Sequence, residues 1–167
     1  TQKELLGQVD AAFAAQNPAL AQTLLQQIAD EAPLKSVYLR LAAGAAADGK
    51  CVMAQSLLRS ADVAPADKAP KELTTAREAV ERSLEGRCGL LAPDCLPGDI
   101  LLELVEGQHA PCGDKPFWMP PGKRTLFFDF GTATPSSAQV TIVAGQTARP
   151  TLIAASERHA AVAEAAI

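Results

Sequence analysis

Aromatic side chains, positive charge and long apolar runs are all scarce in this sequence. Aromatic residues make up 4% of the 167 residues, so the hydrophobic core must consist mainly of tightly packed aliphatic side chains. The net charge of −4 argues against a general nucleic-acid binder, which needs a basic surface to displace counterions from phosphates. No stretch reaches the roughly 18 consecutive apolar residues of a transmembrane helix. Any membrane attachment is therefore expected only through segments outside this chain.

Motifs that carry common enzyme and cofactor chemistry are also missing. The sequence contains neither GxxxxGK[ST] nor GxGxxG, the glycine-rich loops that hold phosphates. Aspartates are spread over predicted helix surfaces and caps rather than gathered into one cluster. We therefore expect a protein that is not an enzyme and that carries no cofactor and no metal.

The composition changes once along the chain. Residues 1–86 are rich in Ala, Leu, Gln, Glu and Arg, which favour helices, whereas Val, Ile, Thr, Phe, Gly and Pro dominate from residue 97 onward. Residues 87–98 contain two prolines and two glycines and cannot continue a helix. The sequence therefore predicts an α+β chain with helical hairpin repeats at 1–87, a linker at 88–97, a small antiparallel β-sandwich at 98–155 and a tail at 156–167.

An internal repeat marks the helical domain. Ala-Gln-Thr-Leu-Leu at positions 21–25 recurs as Ala-Gln-Ser-Leu-Leu at positions 54–58. A repeat period of about 33 residues, with two helices per unit, is typical of helical-hairpin repeats. Apolar residues at helical spacing agree with this, and Asn17 followed by Pro18 predicts the start of the second helix.

These hairpins resemble the tetratricopeptide (TPR) repeat. Tyr38 and Leu41, followed by small residues, match the first helix of that pattern, and Ala54 and Leu58, followed by a proline at 65, match the second. A fifth helix over residues 68–85 would cap the array. The resemblance implies a concave face that holds a peptide or a partner helix, with Tyr38 as a candidate partner-binding residue. A purely structural spacer or dimerisation element is the alternative.

Short apolar runs separated by turn residues predict the β-domain. Strands are expected at 100–105, 124–130, 139–143 and 147–153, a pattern typical of a compact antiparallel sandwich. The aromatic cluster at 117–119 is expected to close one end of the sandwich. If a patch of this domain binds a partner, Trp118 is the candidate, because aromatic residues concentrate at interface hot spots.

The turns of this domain resemble those of PEGA-type domains. Pro-Gly-Lys-Arg at 121–124 precedes a strand, and Val-Thr-Ile-Val-Ala-Gly at 140–145 matches the closing hairpin of that family. Residues 105–107 correspond to its hydrophobic-acidic-glycine turn, although the Pro-Glu-Gly-Ala tetrad itself is absent. PEGA-like modules beside helical repeats occur mostly in bacterial cell-envelope proteins. The resemblance therefore implies a periplasmic or envelope location and a non-enzymatic interaction or anchoring role.

The four cysteines, Cys51, Cys88, Cys95 and Cys112, suit an oxidising compartment and allow three disulfide connectivities. Cys88 and Cys95 are close enough in sequence to close a small loop, which would leave Cys51 and Cys112 to join the two domains. Pairing of Cys88 or Cys95 with Cys112 is equally allowed. Buried free thiols are the alternative to disulfides.

Two further interpretations of the cysteines involve His109. With Cys112, Cys88 and Cys95 it would supply four zinc ligands, but six residues separate Cys88 from Cys95, more than the usual zinc knuckle contains. A catalytic Cys112–His109 pair would need an acidic residue to orient the imidazole, and the spacing indicates none.

The function predicted from these features is protein–protein interaction or scaffolding in the bacterial cell envelope, with a protein or peptide as the partner. The alternative from another class is an extracytoplasmic sensory domain, which would bind a small ligand or glycan through the aromatic turn at Trp118.

Overall fold

A computed structural model of the chain describes residues 2–96, 100–105, 108–113, 115–128 and 136–154. The chain divides into two units, Thr1–Arg87 and Cys88–Ile167. Helices make up the described part of the first unit and strands that of the second, so the predicted two-part α+β organisation is confirmed. The tail predicted at 156–167 lies outside the described residues.

Five helices follow one another along the described part of the first unit. They are α1 (Gln2–Ala14), α2 (Pro18–Glu31), α3 (Lys35–Ala47), α4 (Cys51–Val63) and α5 (Pro70–Arg87). The fifth helix begins and ends two residues later than predicted, because Pro70 takes the first helical position, where proline is favoured. None of the described helices is long and apolar enough to cross a membrane.

The two hairpins α1–α2 and α3–α4 repeat in structure as they do in sequence. Both ends of α3 lie one repeat period after those of α1, and α4 begins one repeat period after α2. Buried residues recur at the same offset in five pairs: Val9 and Ala42, Ala12 and Ala45, Ala21 and Ala54, Leu25 and Leu58, Ile28 and Ala61. Because most of these side chains are small, the helices can pack closely at these positions.

The turn after α3 depends on a glycine. The Lys50 N–H donates to the Ala45 carbonyl at 2.9 Å, and the Gly49 N–H donates to the Ala46 carbonyl at 3.1 Å. Gly49 has φ +74°, in the left-handed region that favours glycine. This pair of bonds is the Schellman motif, which satisfies the last carbonyls of the helix.

The turn after α1 has the same geometry without a glycine. Asn17 and Gln16 donate through their backbone N–H groups to Ala12 and Phe13, at 2.9 and 3.0 Å, and Gln16 adopts φ 56°. The Asn17 side chain then accepts a 3.2 Å hydrogen bond from the Leu20 N–H, so the predicted cap of α2 is confirmed.

Nine short strands occur in the described part of the second unit. They are β1 (Gly89–Leu91), β2 (Asp94–Leu96), β3 (Leu101–Val105), β4 (Gln108–Pro111), β5 (Phe117–Met119), β6 (Gly122–Phe128), β7 (Ser136–Ile142), β8 (Thr147–Ala148) and β9 (Thr151–Ile153). They form three small sheets with the strand orders β5-β1-β8, β2-β9 and β4-β3-β6-β7.

Residues 88–97, predicted as a linker, contain two of these strands. β1 and β2 run parallel to β8 and β9, with Leu90 opposite Thr147 and Cys95 opposite Leu152. Pro93 and Pro150 lie where each extended segment is interrupted, since proline has no N–H to donate to a ladder. The prolines that suggested a linker therefore divide strands, and the parallel pairs depart from the predicted all-antiparallel arrangement.

The four-stranded sheet shows the alternation predicted for its strands. Leu126 and Phe128 of β6 are buried, whereas Phe127 between them is 43% exposed. β7 pairs antiparallel with β6 along its whole length, with Leu126 opposite Ala138. The sheet therefore has one buried and one exposed face. Residues 129–130 and 106–107, to which the predicted strand and turn extended, lie outside the described residues.

One glycine of β1 has no room for a side chain. A Cβ atom on Gly89 would stand 2.5 Å from Ile142 Cγ2 and 2.5 Å from the carbonyl oxygen of Val143. Real Cβ atoms do not approach backbone this closely, so β1 can reach the end of β7 only with glycine at this position.

Candidate functional site

Two adjoining clefts lie on the helical unit, where the first hairpin meets the second. One has a volume of about 250 Å³ and is bounded by α2, α3 and the start of α4. The other has a volume of about 280 Å³ and is bounded by the α1–α2 turn, α2 and α3. Gln22 and Asp48 line both clefts. The first also includes Gln26, Leu41, Ala45, Lys50, Met53 and Leu57, and the second Phe13, Pro18, Arg40, Ala43, Gly44 and Ala47.

The side chain of Gln22 is shared by the two clefts and lies against the backbone of Gly44. A Cβ atom on Gly44 would overlap the Gln22 side-chain amide. A glycine inside a helix costs about 1 kcal/mol relative to alanine. In α3, Gly44 makes room for the side-chain amide of Gln22 in α2. This contact offsets the lower helix propensity of glycine.

Apolar surface is unusually accessible at the clefts. Phe13 is 42% exposed and Met53 is 52% exposed, and each is a large apolar side chain at the mouth of a cleft. Ala43 and Ala47 of α3 are also exposed, and their small size leaves the second cleft open. The two clefts therefore combine apolar walls with the amide of Gln22, a combination typical of small binding sites.

Arg40, at the edge of the second cleft, is held from two sides. Its Nη2 atom lies 3.0 Å from Asp10 Oδ1, and its guanidinium carbon lies 5.6 Å from the centre of the Phe13 ring. The Asp10 side chain is 72% exposed, so the ion pair contributes no more than about 1 kcal/mol to stability. Its effect is positional, because the two contacts keep a cation over the aromatic ring.

Tyr38 lies in α3, half-buried against the core of the first unit. It is not among the residues that line either cleft, so its role in partner binding stays a prediction.

Sequence reasoning missed Gln22 and Gly44. The available signal was a glycine inside the alanine-rich α3, because a glycine in a helix often marks a close approach by another element.

Trp118 lies in the middle of β5, opposite Leu90 of β1. Its neighbours Phe117 and Met119 are 3% and 2% exposed, whereas Trp118 is half-buried on the other face of the strand. The aromatic cluster therefore forms a strand rather than a turn, and two of its three side chains belong to the core. Partner binding by Trp118 stays a prediction.

The four cysteines are all oxidised. Cys95 and Cys112 form a disulfide with their Cα atoms 6.4 Å apart, Cys51 and Cys88 are also disulfide-bonded, and none of the four is free. The pairings of Cys88 with Cys95 and of Cys51 with Cys112 are therefore wrong, and the pairing of Cys95 with Cys112, also allowed by the sequence, is confirmed. The reason is geometric. Residues 88–95 are extended through β1 and β2, which separates their ends by roughly 20 Å, beyond the reach of a disulfide.

The oxidised cysteines also bear on the two interpretations that involve His109. Zinc binding and nucleophilic attack both need a thiolate, and the Cys95–Cys112 disulfide supplies none. The His109 Nε2 atom lies 3.4 Å from Glu103 Oε2, across the β3–β4 pair. Among the residues that the structure describes, no group of three or more His, Cys, Asp or Glu side chains is placed to hold a metal ion.

A polar cleft of about 450 Å³ lies on the second unit. Its charged residues are Asp94, Lys115 and Arg149, and all three side chains are exposed. Exposed charges are well solvated and weakly held, so this cleft offers less to a ligand than the apolar clefts of the helical unit.

Comparisons with known proteins supply no relative. No family model, no curated protein sequence and no solved structure matches the chain. Inference about function therefore starts from the clefts, the helical repeat and the state of the cysteines.

Proposed function

We propose that this chain is a non-enzymatic protein-interaction module of the bacterial cell envelope, and that its helical unit binds a peptide segment of a partner protein. The observation that carries this proposal is the pair of adjoining clefts between the two hairpins, about 250 and 280 Å³ in volume. Because both clefts include Gln22, a single bound segment reaches from one to the other.

The lining of the clefts sets the chemistry of the segment. Phe13 and Met53 provide apolar surface, and methionine adapts its shape to different apolar side chains. The Gln22 amide has both donors and an acceptor, which suits the N–H and C=O groups of a peptide. We therefore expect a segment that places one apolar side chain in each cleft and its backbone at Gln22.

The repeat geometry supports a TPR-like array. Both ends of the first helix, the start of the second helix and several buried positions recur after one repeat period. Arrays of this kind bind partners on surfaces formed by successive hairpins. The PEGA-like assignment of the second unit is supported by less, namely its short strands and the turn at 143–146.

The oxidised cysteines support an extracytoplasmic location. Thiols in the cytosol are kept reduced by glutathione and thioredoxin, whereas disulfides persist in the periplasm and at the cell surface. All four cysteines of the chain are in disulfides. A periplasmic or envelope protein is the interpretation that fits this state.

The test is selection of peptides from a random display library on the full chain, followed by affinity measurement with labelled peptides. Ala43→Trp fills the second cleft from an exposed position of α3, and its matched control is Ala79→Trp, at an exposed position of α5 outside both clefts. We expect Ala43→Trp to weaken binding at least tenfold and Ala79→Trp to leave it unchanged.

Two outcomes would contradict the proposal. Equal effects of the two tryptophan variants would show that the selected peptides bind elsewhere. Loss of binding in Trp118→Ala, with no loss in Ala43→Trp, would favour the sensory alternative, in which the aromatic strand β5 carries recognition.

A further inference from the structure

The outer strand of the four-stranded sheet, β7, is long, regular and uncharged. It pairs with β6 in continuous register from Ser136 to Ile142 and stands last in the strand order β4-β3-β6-β7. Within the described residues, no strand pairs with its other edge. Natural edge strands are usually protected by charged residues, proline or a bulge, and the sequence Ser-Ser-Ala-Gln-Val-Thr-Ile contains none of these.

The opposite edge of the same sheet shows such protection. β4 has four residues, carries His109 and ends at Pro111, and its pairing with β3 shifts register between Glu103 and Val105. Short length, proline and irregular pairing all discourage a further strand from adding. The contrast indicates that β7 is the edge that this sheet leaves available.

We propose that β7 pairs antiparallel with β7 of a second copy of this chain, around a two-fold axis at Gln139. This register alone uses all seven residues of the strand in both copies. It places Ala138 of one copy opposite Val140 of the other, on the half-buried face, and Ser137 opposite Thr141 on the exposed face. The two hydroxyl residues that face each other are a favourable cross-strand pair, and the small Ala138 leaves room for the β-branched Val140.

The charge of the strand favours a second copy as the occupant. β7 has no charged residue, so two identical strands meet without repulsion, whereas nothing on this edge would attract a charged segment. A slip by one residue would turn the half-buried residues of one copy to the exposed face of the other. A slip by two would leave residues at the ends of the strand unpaired.

A cysteine scan tests the register in the full chain. Native cysteines are all oxidised, so an introduced cysteine is the single thiol. Gln139→Cys places two thiols directly opposite each other, with Cβ atoms about 5 Å apart, and we expect mild oxidation to cross-link the dimer. Thr141→Cys is the matched control, because its equivalent lies four positions further along the second copy, about 13 Å away. Mixing Ser137→Cys with Thr141→Cys should cross-link only the mixed pair.

Charge at the axis tests the strength of association. Gln139 is exposed, so Gln139→Lys leaves the fold intact but brings two lysines together at the axis. We expect the dimer dissociation constant, measured by sedimentation, to rise at least about tenfold. Thr125→Lys adds the same charge on the same face of β6, opposite Gln139 within one copy, and should leave the constant within about twofold.

Either of two results would overturn the proposal. The unmodified chain would sediment as a monomer at every concentration tested, or Thr141→Cys would cross-link as rapidly as Gln139→Cys.

Discussion

Removal of the Cys95–Cys112 disulfide is expected to destabilise the second unit strongly. The double variant Cys95→Ala/Cys112→Ala removes this bond and leaves the other two cysteines oxidised. Each of the two residues is 7% exposed, so alanine also removes a buried sulfur atom from the packing. Variants that replace only one of the two cysteines are unsuitable, because the unpaired thiol of the other can exchange with the remaining disulfide.

The size of the effect follows from the length of chain that the bond closes. The two cysteines are 17 residues apart in sequence. In the chain-entropy model a loop of this length restricts the unfolded state by about 3 kcal/mol. A small unit has a total stability of about 5–15 kcal/mol, so the bond supplies a large share of it.

Tryptophan fluorescence during urea unfolding measures this effect in the right unit. Trp118 is the single tryptophan of the chain and lies in β5, within the unit that contains the disulfide. With a urea dependence of about 1 kcal/mol per molar for a small unit, the midpoint should fall by about 2–3 M. Adding reductant to the unmodified chain should lower the midpoint by at least as much. A shift below about 0.5 M in the double variant would refute the chain-entropy argument.

Three glycine and turn predictions use the same urea assay, with circular dichroism for the helical unit. Gly89→Ala should destabilise the second unit by about 1–3 kcal/mol, because the added Cβ meets the Val143 carbonyl oxygen at 2.5 Å; an unchanged midpoint would contradict the close approach. Gly7→Ala in α1 meets no neighbouring atom and should stabilise the helical unit by up to about 1 kcal/mol. Gln16→Gly should stabilise the helical unit by up to about 1 kcal/mol, because Gln16 has a positive φ that glycine adopts more easily. Gly49→Ala should destabilise the unit by a similar amount, because it removes glycine from a position with a positive φ. Destabilisation by Gln16→Gly, or stabilisation by Gly49→Ala, would refute the shared turn geometry.

The helical half of the fold was predictable because its signals are local. The repeat at positions 21–25 and 54–58 set the period, and Asn17 with Pro18 placed the start of α2. The left-handed conformation of Gln16 was not predictable from its own type, since glutamine rarely adopts it. Gln16 occupies the same position in its turn as Gly49, one repeat period later, and both residues have a positive φ. This equivalence becomes visible only when the two turns are compared.

The β half was less predictable because its pairings are not local. Strands β6 and β7 were expected from alternation, and they pair antiparallel with each other. The hairpin predicted between 139–143 and 147–153 is wrong, because β8 and β9 pair with β1 and β2 instead of with β7. β1 and β2 were missed because prolines and glycines made their segment resemble a linker, and their partners β8 and β9 are the last two strands described, beyond all the others in sequence. The disulfide pairing depended on those strands, so it could not be chosen from cysteine spacing alone.

The clefts show a similar limit within the well-predicted half. Gln22 recurs as Gln55, at the same position of α2 and α4, so the repeat assigns both the same role. In the structure Gln55 is 8% exposed, whereas Gln22 is half-buried and lines two clefts. The environment of a repeated residue depends on the helix packed against it, and Gln22 lies on a glycine of α3. Periodicity identifies equivalent positions but does not specify the neighbour of each. The binding surface is therefore expected at the junction of the first and second hairpins, where Gly44 has no side chain and Gln22 lies against its backbone.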